Sequence, residues 1–301
     1  MHLLDRVTKQ GISALRHLSS LQEFLFSRSR EHSDLVHQIG VCLELLPHLH
    51  AVAFIPMPNS LLERDITCAL SRIQRPCTLQ LRHLLLVTMD NIPEHVSLPE
   101  VQVLHVMSMC FLYLQLRHYL PKLRELNWTV SIQDHLLALL GYFQHQLQTL
   151  RFGIFRGTLH LDRVLNVCPN LSELCVATSV SVQGTLEMRP DTLSKLQTLH
   201  LRLSSDVMPS PGLLLQFLRL APELRTVNCS SAMLDDQDLK ELAELAKEGT
   251  CMQHLQQLTL KFRAQNSEQD ISRNLLDAAL ISCSIHCPRL KHLNVSISLS
   301  F

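Results

Sequence analysis

The chain has 301 residues, 46% of them hydrophobic and 18% charged, with 27 Lys+Arg against 27 Asp+Glu and a formal net charge of zero. Without a cationic surplus the surface is unsuited to a dedicated nucleic-acid binder, because phosphate contacts are made by Lys and Arg. The eight glycines include no G-x-G or G-x-x-x-x-G-K spacing, which argues equally against a backbone cradle for nucleotide phosphates.

From the N-terminus, Leu3, Leu4, Val7, Ile12 and Leu15 predict an apolar helix over residues 1–17, which reads as a truncated repeat. Asp5, Arg6 and Lys9 interrupt the apolar core a secretory signal would need. The densest later apolar run, Leu213 to Leu220, is broken by Gln216 and Arg219 and is too short to span a membrane. With neither signal nor span, ten cysteines read as small buried hydrophobes, and the expected compartment is cytoplasm or nucleus.

The rest of the chain repeats itself. A hexad with apolar first, fourth and sixth positions starts at Leu21, Leu49, Leu81, Val101, Leu123, Leu147, Leu171, Leu196, Leu224, Leu255 and Leu290. Six of these hexads have proline two residues before the first apolar position: Pro47, Pro99, Pro121, Pro169, Pro222 and Pro288. Chance would place only ~0.5 prolines at that offset, so the register is a property of an internal repeat. A proline there ends the preceding helix and leads into an extended segment. The residue before it, Leu46, Leu98, Leu120, Cys168, Ala221 or Cys287, marks a small-to-medium buried site.

Helical patterns fill the intervals. Asp235-Asp236-Gln237-Asp238 supplies acidic residues suited to a helix N-terminus, and Leu239, Leu242, Ala243, Leu245 and Ala246 then share one face. Residues Ile271 to His286 predict another helix, with Leu275, Leu276, Ala279 and Leu280 on its stripe. Each unit reads strand, turn, helix. The predicted fold is therefore an α/β solenoid of about eleven irregular repeats, one domain over 1–301, with a parallel concave sheet and convex helices.

The segments Cys168-Pro169-Asn170-Leu171-Ser172-Glu173-Leu174-Cys175-Val176 and Cys287-Pro288-Arg289-Leu290-Lys291-His292-Leu293-Asn294-Val295 resemble the repeat opening of leucine-rich repeat proteins, and more narrowly of the F-box/LRR proteins. The ninth repeat position departs from that pattern, with Met57, Ser131, Phe155, Ser179, Ser204 and Ser298 in place of Asn or Cys. The resemblance implies a non-enzymatic substrate-recognition role in a cullin-type ubiquitin ligase, with the ligase adaptor contacted through a separate N-terminal module. Its Leu-Pro-acidic signature has no counterpart in Met1 to His50, so the chain reads as a truncated product, an isoform or a relative without the adaptor module. The alternative is a stand-alone inhibitor or regulatory scaffold of the ribonuclease-inhibitor kind.

Chemistry has few footholds. Cys283, His286, Cys287 and His292 cluster, but no second C-x-x-C or paired histidine completes four ligands, so no metal and no cofactor is expected. No G-x-S-x-G elbow is present. N-x-S/T triplets at Asn127, Asn170, Asn228 and Asn294 fall in or beside predicted strands, where a glycan has no room. Trp128, the sole tryptophan, holds an inward hexad position and is expected in the core.

Third, fifth and seventh hexad positions would line the concave face. Early units place Leu25, Ile55, Leu85, Val87, Val103 and Met107 there, an apolar area large enough to call for a cover. Later units place Arg151, His200, Arg202 and Lys261, a weakly basic stripe suited to an acidic or phosphorylated segment. Arg151, His200, Arg202, Lys261, Leu85, Val87 and Met107 are thus the expected protein-binding residues, with no nucleic acid or membrane as partner.

Overall fold

The computed structural model describes residues 2–3, 23–27, 51–55, 77–78, 83–86, 96–106, 120–129, 133–153, 157–178, 180–182, 191–203, 212–230, 236–249, 251–264 and 273–299. The chain divides into two compact units, Met1–Tyr142 and Phe143–Phe301.

The first unit carries strands β1 (His2–Leu3), β2 (Glu23–Ser27), β3 (Ala51–Ile55), β4 (Cys77–Thr78), β5 (His83–Leu86), β6 (Val96–Ser97), β7 (Val103–Val106) and β8 (Glu125–Trp128), followed by helix α1 (Gln133–Phe143). Strands β1-β2-β3-β5-β7-β8 pair in that order, all parallel, and β4 pairs with β6 in a small separate sheet. Leu3 therefore sits in a strand, where the apolar spacing predicted a helix. A dipeptide in β1 pairs with Leu25 and Phe26 of the next strand, and that tertiary pairing overrides the local helical pattern. The other residues of that expectation lie outside the described ones.

The second unit carries β9 (Thr149–Phe152), β10 (Gly157–Leu159), α2 (Leu161–Val167), β11 (Glu173–Thr178), β12 (Val180–Val182), β13 (Thr198–Leu203), α3 (Leu213–Leu220), β14 (Thr226–Ser230), α4 (Asp236–Glu248), β15 (Gln257–Ala264), α5 (Arg273–His286) and β16 (His292–Leu299). Here β9-β11-β13-β14-β15-β16 pair in order, again all parallel. Parallel neighbours need a crossover between them, which α2, α3, α4 and α5 supply in four of the five connections. The result is an α/β, solenoid-like succession of strand and helix.

Every hexad coincides with a strand that begins two residues after its first apolar position, from β2 after Leu21 to β16 after Leu290. The register keeps like positions side by side. Leu150, Leu174, Leu199, Val227, Leu258 and Leu293 align across six strands, and the first five are wholly buried. Trp128 is likewise wholly buried, as its inward position predicts. The ladder ends at β16, where Leu293 is 36% exposed.

The proline offset acquires a specific geometry. The residue before each described proline accepts a hydrogen bond from the hexad's first residue: Val101 N–H to Leu98 O at 3.4 Å, Leu123 to Leu120 at 3.3 Å, Leu171 to Cys168 at 3.3 Å, Leu224 to Ala221 at 3.2 Å and Leu290 to Cys287 at 3.1 Å. Proline thus occupies the second position of a β-turn, which its fixed φ favours. Leu193 to Leu196 and Met252 to Leu255 make the same turn without proline, their bonds 3.0 and 3.2 Å long. The accepting residue is buried in each case: Leu98, Leu120, Cys168, Ala221, Met252 and Cys287 are at most 3% exposed.

Successive strands are also joined at their entry. The carbonyl of the hexad's second residue accepts two N–H groups from the following strand: Gln148 O from Ser172 and Glu173, Ser172 O from Gln197 and Thr198, Gln197 O from Arg225 and Thr226, Arg225 O from Gln256 and Gln257.

Helix α4 buries Leu239, Leu242, Leu245 and Ala246 on one face, with Asp236 and Asp238 in its first turn and Lys247 in its last, complementary to the helix dipole. It stops at Gly249, whose φ of +69° is the left-handed conformation that glycine adopts without a Cβ penalty. Helix α5 buries Leu276, Ala279, Ser282 and Cys283, while Leu275 and Leu280 are half-buried. Its buried stripe is displaced from the predicted one because the helix docks on α4, where the Ser282 hydroxyl donates to Ala243 O at 2.8 Å.

Candidate functional site

On the second unit's sheet, the third, fifth and seventh hexad positions form the face opposite the buried one. The fifth positions align as Arg151, Cys175, His200, Asn228, Thr259 and Asn294, one residue per strand. Parallel strands lie about 4.8 Å apart, so this row spans about 24 Å. The seventh positions align as Ala177, Arg202, Ser230, Lys261 and Ser296. The third align as Thr149, Glu173, Thr198, Thr226, Gln257 and His292.

Arg151 is not an available cation. Its guanidinium pairs with Glu173 on the adjacent strand at 2.9 Å, the two side chains 44% and 27% exposed. His200 is not a cation at neutral pH either. Burial pushes its imidazole below the ordinary pKa; Arg202 and Arg151 push the same way, and Glu173 opposes them. Its Nδ1 is buried and has no hydrogen-bond partner among the described residues. Cys175, between Arg151 and His200, is half-buried, and burial raises its pKa against the pull of the two arginines.

The expected basic stripe therefore contracts. Arg202 and Lys261 are exposed and have no ion-pair partner among the described residues. They flank Ser230 in the seventh row, two strand spacings or about 10 Å apart. A carboxylate or phosphate over Ser230 lies within reach of both side chains. Among the described residues, this is where the open face offers positive charge without a paired anion.

The expected apolar part is only partly placed. Leu85 lies in β5, in register with His105 of β7, whereas Val87 and Met107 fall outside the described residues. At the fifth position of the first unit, Asn127 donates to Glu125 Oε1 at 3.0 Å and meets His105 Nε2 at 3.4 Å.

A second polar row escaped the sequence reading. The residue just before each hexad forms contacts from unit to unit: Lys122 with Glu100 at 2.6 Å, Asn170 Nδ2 to His145 O at 2.7 Å, Lys195 Nζ to Asn170 Oδ1 at 2.5 Å, His254 with Glu223 at 3.8 Å and Arg289 with His254 at 3.0 Å. The signal was available, since that position is occupied by Glu100, Lys122, Gln146, Asn170, Lys195, Glu223, His254 and Arg289. These groups satisfy one another along the turns, which leaves the open face as the better binding candidate.

Among the described residues no group of three or more His, Cys, Asp or Glu side chains is placed to hold a metal. In the Cys283 cluster the two thiols are buried, and His286 and His292 are exposed. No described helix is long and apolar enough to cross a membrane. No family model and no curated protein matches the chain.

Proposed function

We propose that the chain is a leucine-rich repeat scaffold that binds a protein on its concave strand face and acts by holding that partner, not by catalysis. Its role within this reading is substrate recognition in an F-box/LRR-like ubiquitin ligase subunit. The carrying observation is the open face of the second unit: in-register rows of polar side chains with two cations, Arg202 and Lys261, that have no ion-pair partner among the described residues and are set about Ser230. Side chains that project from a paired sheet are held at fixed spacing, which suits recognition of an extended partner segment by regularly placed contacts. The net charge of the chain is zero, so the two cations act as a local selector for acidic or phosphorylated groups.

The test is affinity recovery with the intact chain, followed by identification of the proteins retained. Recovery of a cullin-adaptor subunit together with a substrate supports the ligase reading. Recovery of a stoichiometric enzyme, inhibited on binding and without an adaptor, replaces it with the inhibitor reading. A folded chain that retains no protein overturns both.

A further inference from the structure

Two thiols at the end of the second unit's sheet form a chemical pair that the binding role does not use. Cys283 lies in the last turn of α5, and Cys287 is the first residue after the helix ends at His286. The Cys287 N–H donates to Cys283 O at 3.0 Å, which keeps the two residues on one helical turn. Their side chains are hydrogen-bonded to each other. Both are reduced and at most 3% exposed.

The pair differs from the other described thiols. Cys168 and Cys229 are buried singly, and burial pushes each up to about 12, which makes them poor nucleophiles. The hydrogen bond from Cys283 instead pulls Cys287 below the ordinary thiol range, against its burial. The same bond, and then burial, pushes Cys283 up. Of the two, Cys287 is the thiol whose ionisation is favoured.

The surroundings permit access. Ser284, Ile285, His286, Pro288 and Arg289 are exposed around the pair, with Ile285 at 67%. Leu290 is half-buried, and the strand that follows is the last of its sheet. Local opening of the turn from Cys287 to Leu290 would expose Cys287, and local opening costs less than unfolding a core.

We propose that Cys283 and Cys287 form a reversible two-electron thiol switch, oxidised by hydrogen peroxide and returned to the dithiol by thiol reductants. The Cys287 thiolate attacks a peroxide oxygen, the O–O bond breaks, and hydroxide leaves, taking up a proton to become water. The resulting Cys287 sulfenic acid is attacked by the Cys283 sulfur, which loses its proton as the S–S bond forms and a second water departs. Two thiols lose two electrons and the peroxide gains them. In an intact helical turn the Cβ atoms of residues four apart are about 5–6 Å from each other, whereas a disulfide needs about 3.8 Å. Cys287 already lies beyond the helix, so it closes that gap by giving up its bond to Cys283 O. The cost falls on the turn that leads through Leu290 into β16. Oxidation therefore loosens the last strand.

The test uses the full-length protein under graded hydrogen peroxide, followed by alkylation and trypsin. Cleavage after Arg273 and Arg289 places both thiols in one peptide, Asn274–Arg289. The expected result is loss of both alkylation sites and of two hydrogens from that peptide, reversed by dithiothreitol, at doses where the more exposed Cys175 is still alkylated. Amide exchange in β16 should quicken in the oxidised protein alone. Cys287→Ala, which reproduces the buried Ala221 of the equivalent slot, should leave the fold unchanged and Cys283 unoxidised at the same dose. Oxidation of Cys175 first, Cys287 driven to sulfinic acid beside an alkylatable Cys283, or Cys283 oxidised as readily in Cys287→Ala, would each overturn the proposal.

Discussion

Leu199→Ala probes the packing argument most directly. Leu199 sits in the middle strand β13, wholly buried, with Leu174 and Val227 in register on either side and both also wholly buried. The substitution removes three carbon atoms, about 2.4 kcal/mol of transfer free energy at about 0.8 kcal/mol per methylene. Hydrogen-bonded strands on both sides prevent the backbone from collapsing into the hole, so the cavity term applies and the total becomes about 3–5 kcal/mol. For a unit of this size, each kcal/mol lowers the melting temperature by about 2–4 °C, which gives a fall of roughly 6–20 °C. Leu293→Ala is the internal control. It removes the same atoms from the same hexad position, but Leu293 is 36% exposed on the terminal strand, so solvent fills the space and the cost is about 1–1.5 kcal/mol. Calorimetry and urea unfolding of the full-length variants measure both. A Leu293→Ala loss equal to or greater than that of Leu199→Ala would refute the stacked-ladder reasoning.

Three further outcomes are expected. Arg202→Glu combined with Lys261→Glu should abolish partner recovery while leaving circular dichroism unchanged, whereas Lys240→Glu with Lys247→Glu on α4 should not; equal recovery by the two double variants removes the seventh row from the binding face. The folded-state pKa of His200 lies below its ordinary value of 6.5, so the unfolded chain binds more protons between the two values and stability falls as pH drops through that window. His200→Gln should therefore lose less stability than the wild type on acidification from pH ~7.5 to ~5, measured by urea midpoint, and an identical loss would show that the imidazole does not titrate as argued. Gln253→Pro places proline in a described turn of this form that lacks it, between Met252 and Leu255, and should raise stability by about 0.4–1 kcal/mol by restricting the unfolded chain; destabilisation would show that the turns differ.

Much of this fold is written locally. The hexads identify the strands because burial on one face demands apolar residues at alternate positions, and the proline offset fixes where each strand enters. Helix α5 was harder to read. Leu275, Leu276, Ala278, Ala279, Leu280, Ile281, Cys283 and Ile285 surround much of its circumference, so spacing alone does not single out the stripe that faces α4. Ile281 and Ile285, at 57% and 67% exposure, show how little composition constrains the outer side of this terminal helix. The brief strand at His2–Leu3 was illegible for a related reason, since its conformation comes from pairing with β2.

The binding face illustrates a different limit. Its residues could be assigned to the face from the period-two rule, but their charge state depends on neighbours in other strands. Arg151 reads as a free cation along its own strand; Glu173, 22 positions away, neutralises it across the sheet. His200 reads as titratable until burial and the two nearby arginines lower its pKa. Arg202 and Lys261 have no ion-pair partner among the described residues, and their seventh-row neighbours Ala177, Ser230 and Ser296 carry no charge. Selectivity on such a sheet is therefore set by rows, each row combining residues from successive units. The inward positions must satisfy packing with every adjacent strand, while a seventh-row residue can change without disturbing the core. A neutral, densely packed chain can in this way carry a small site of unbalanced charge, at a place that no single repeat specifies.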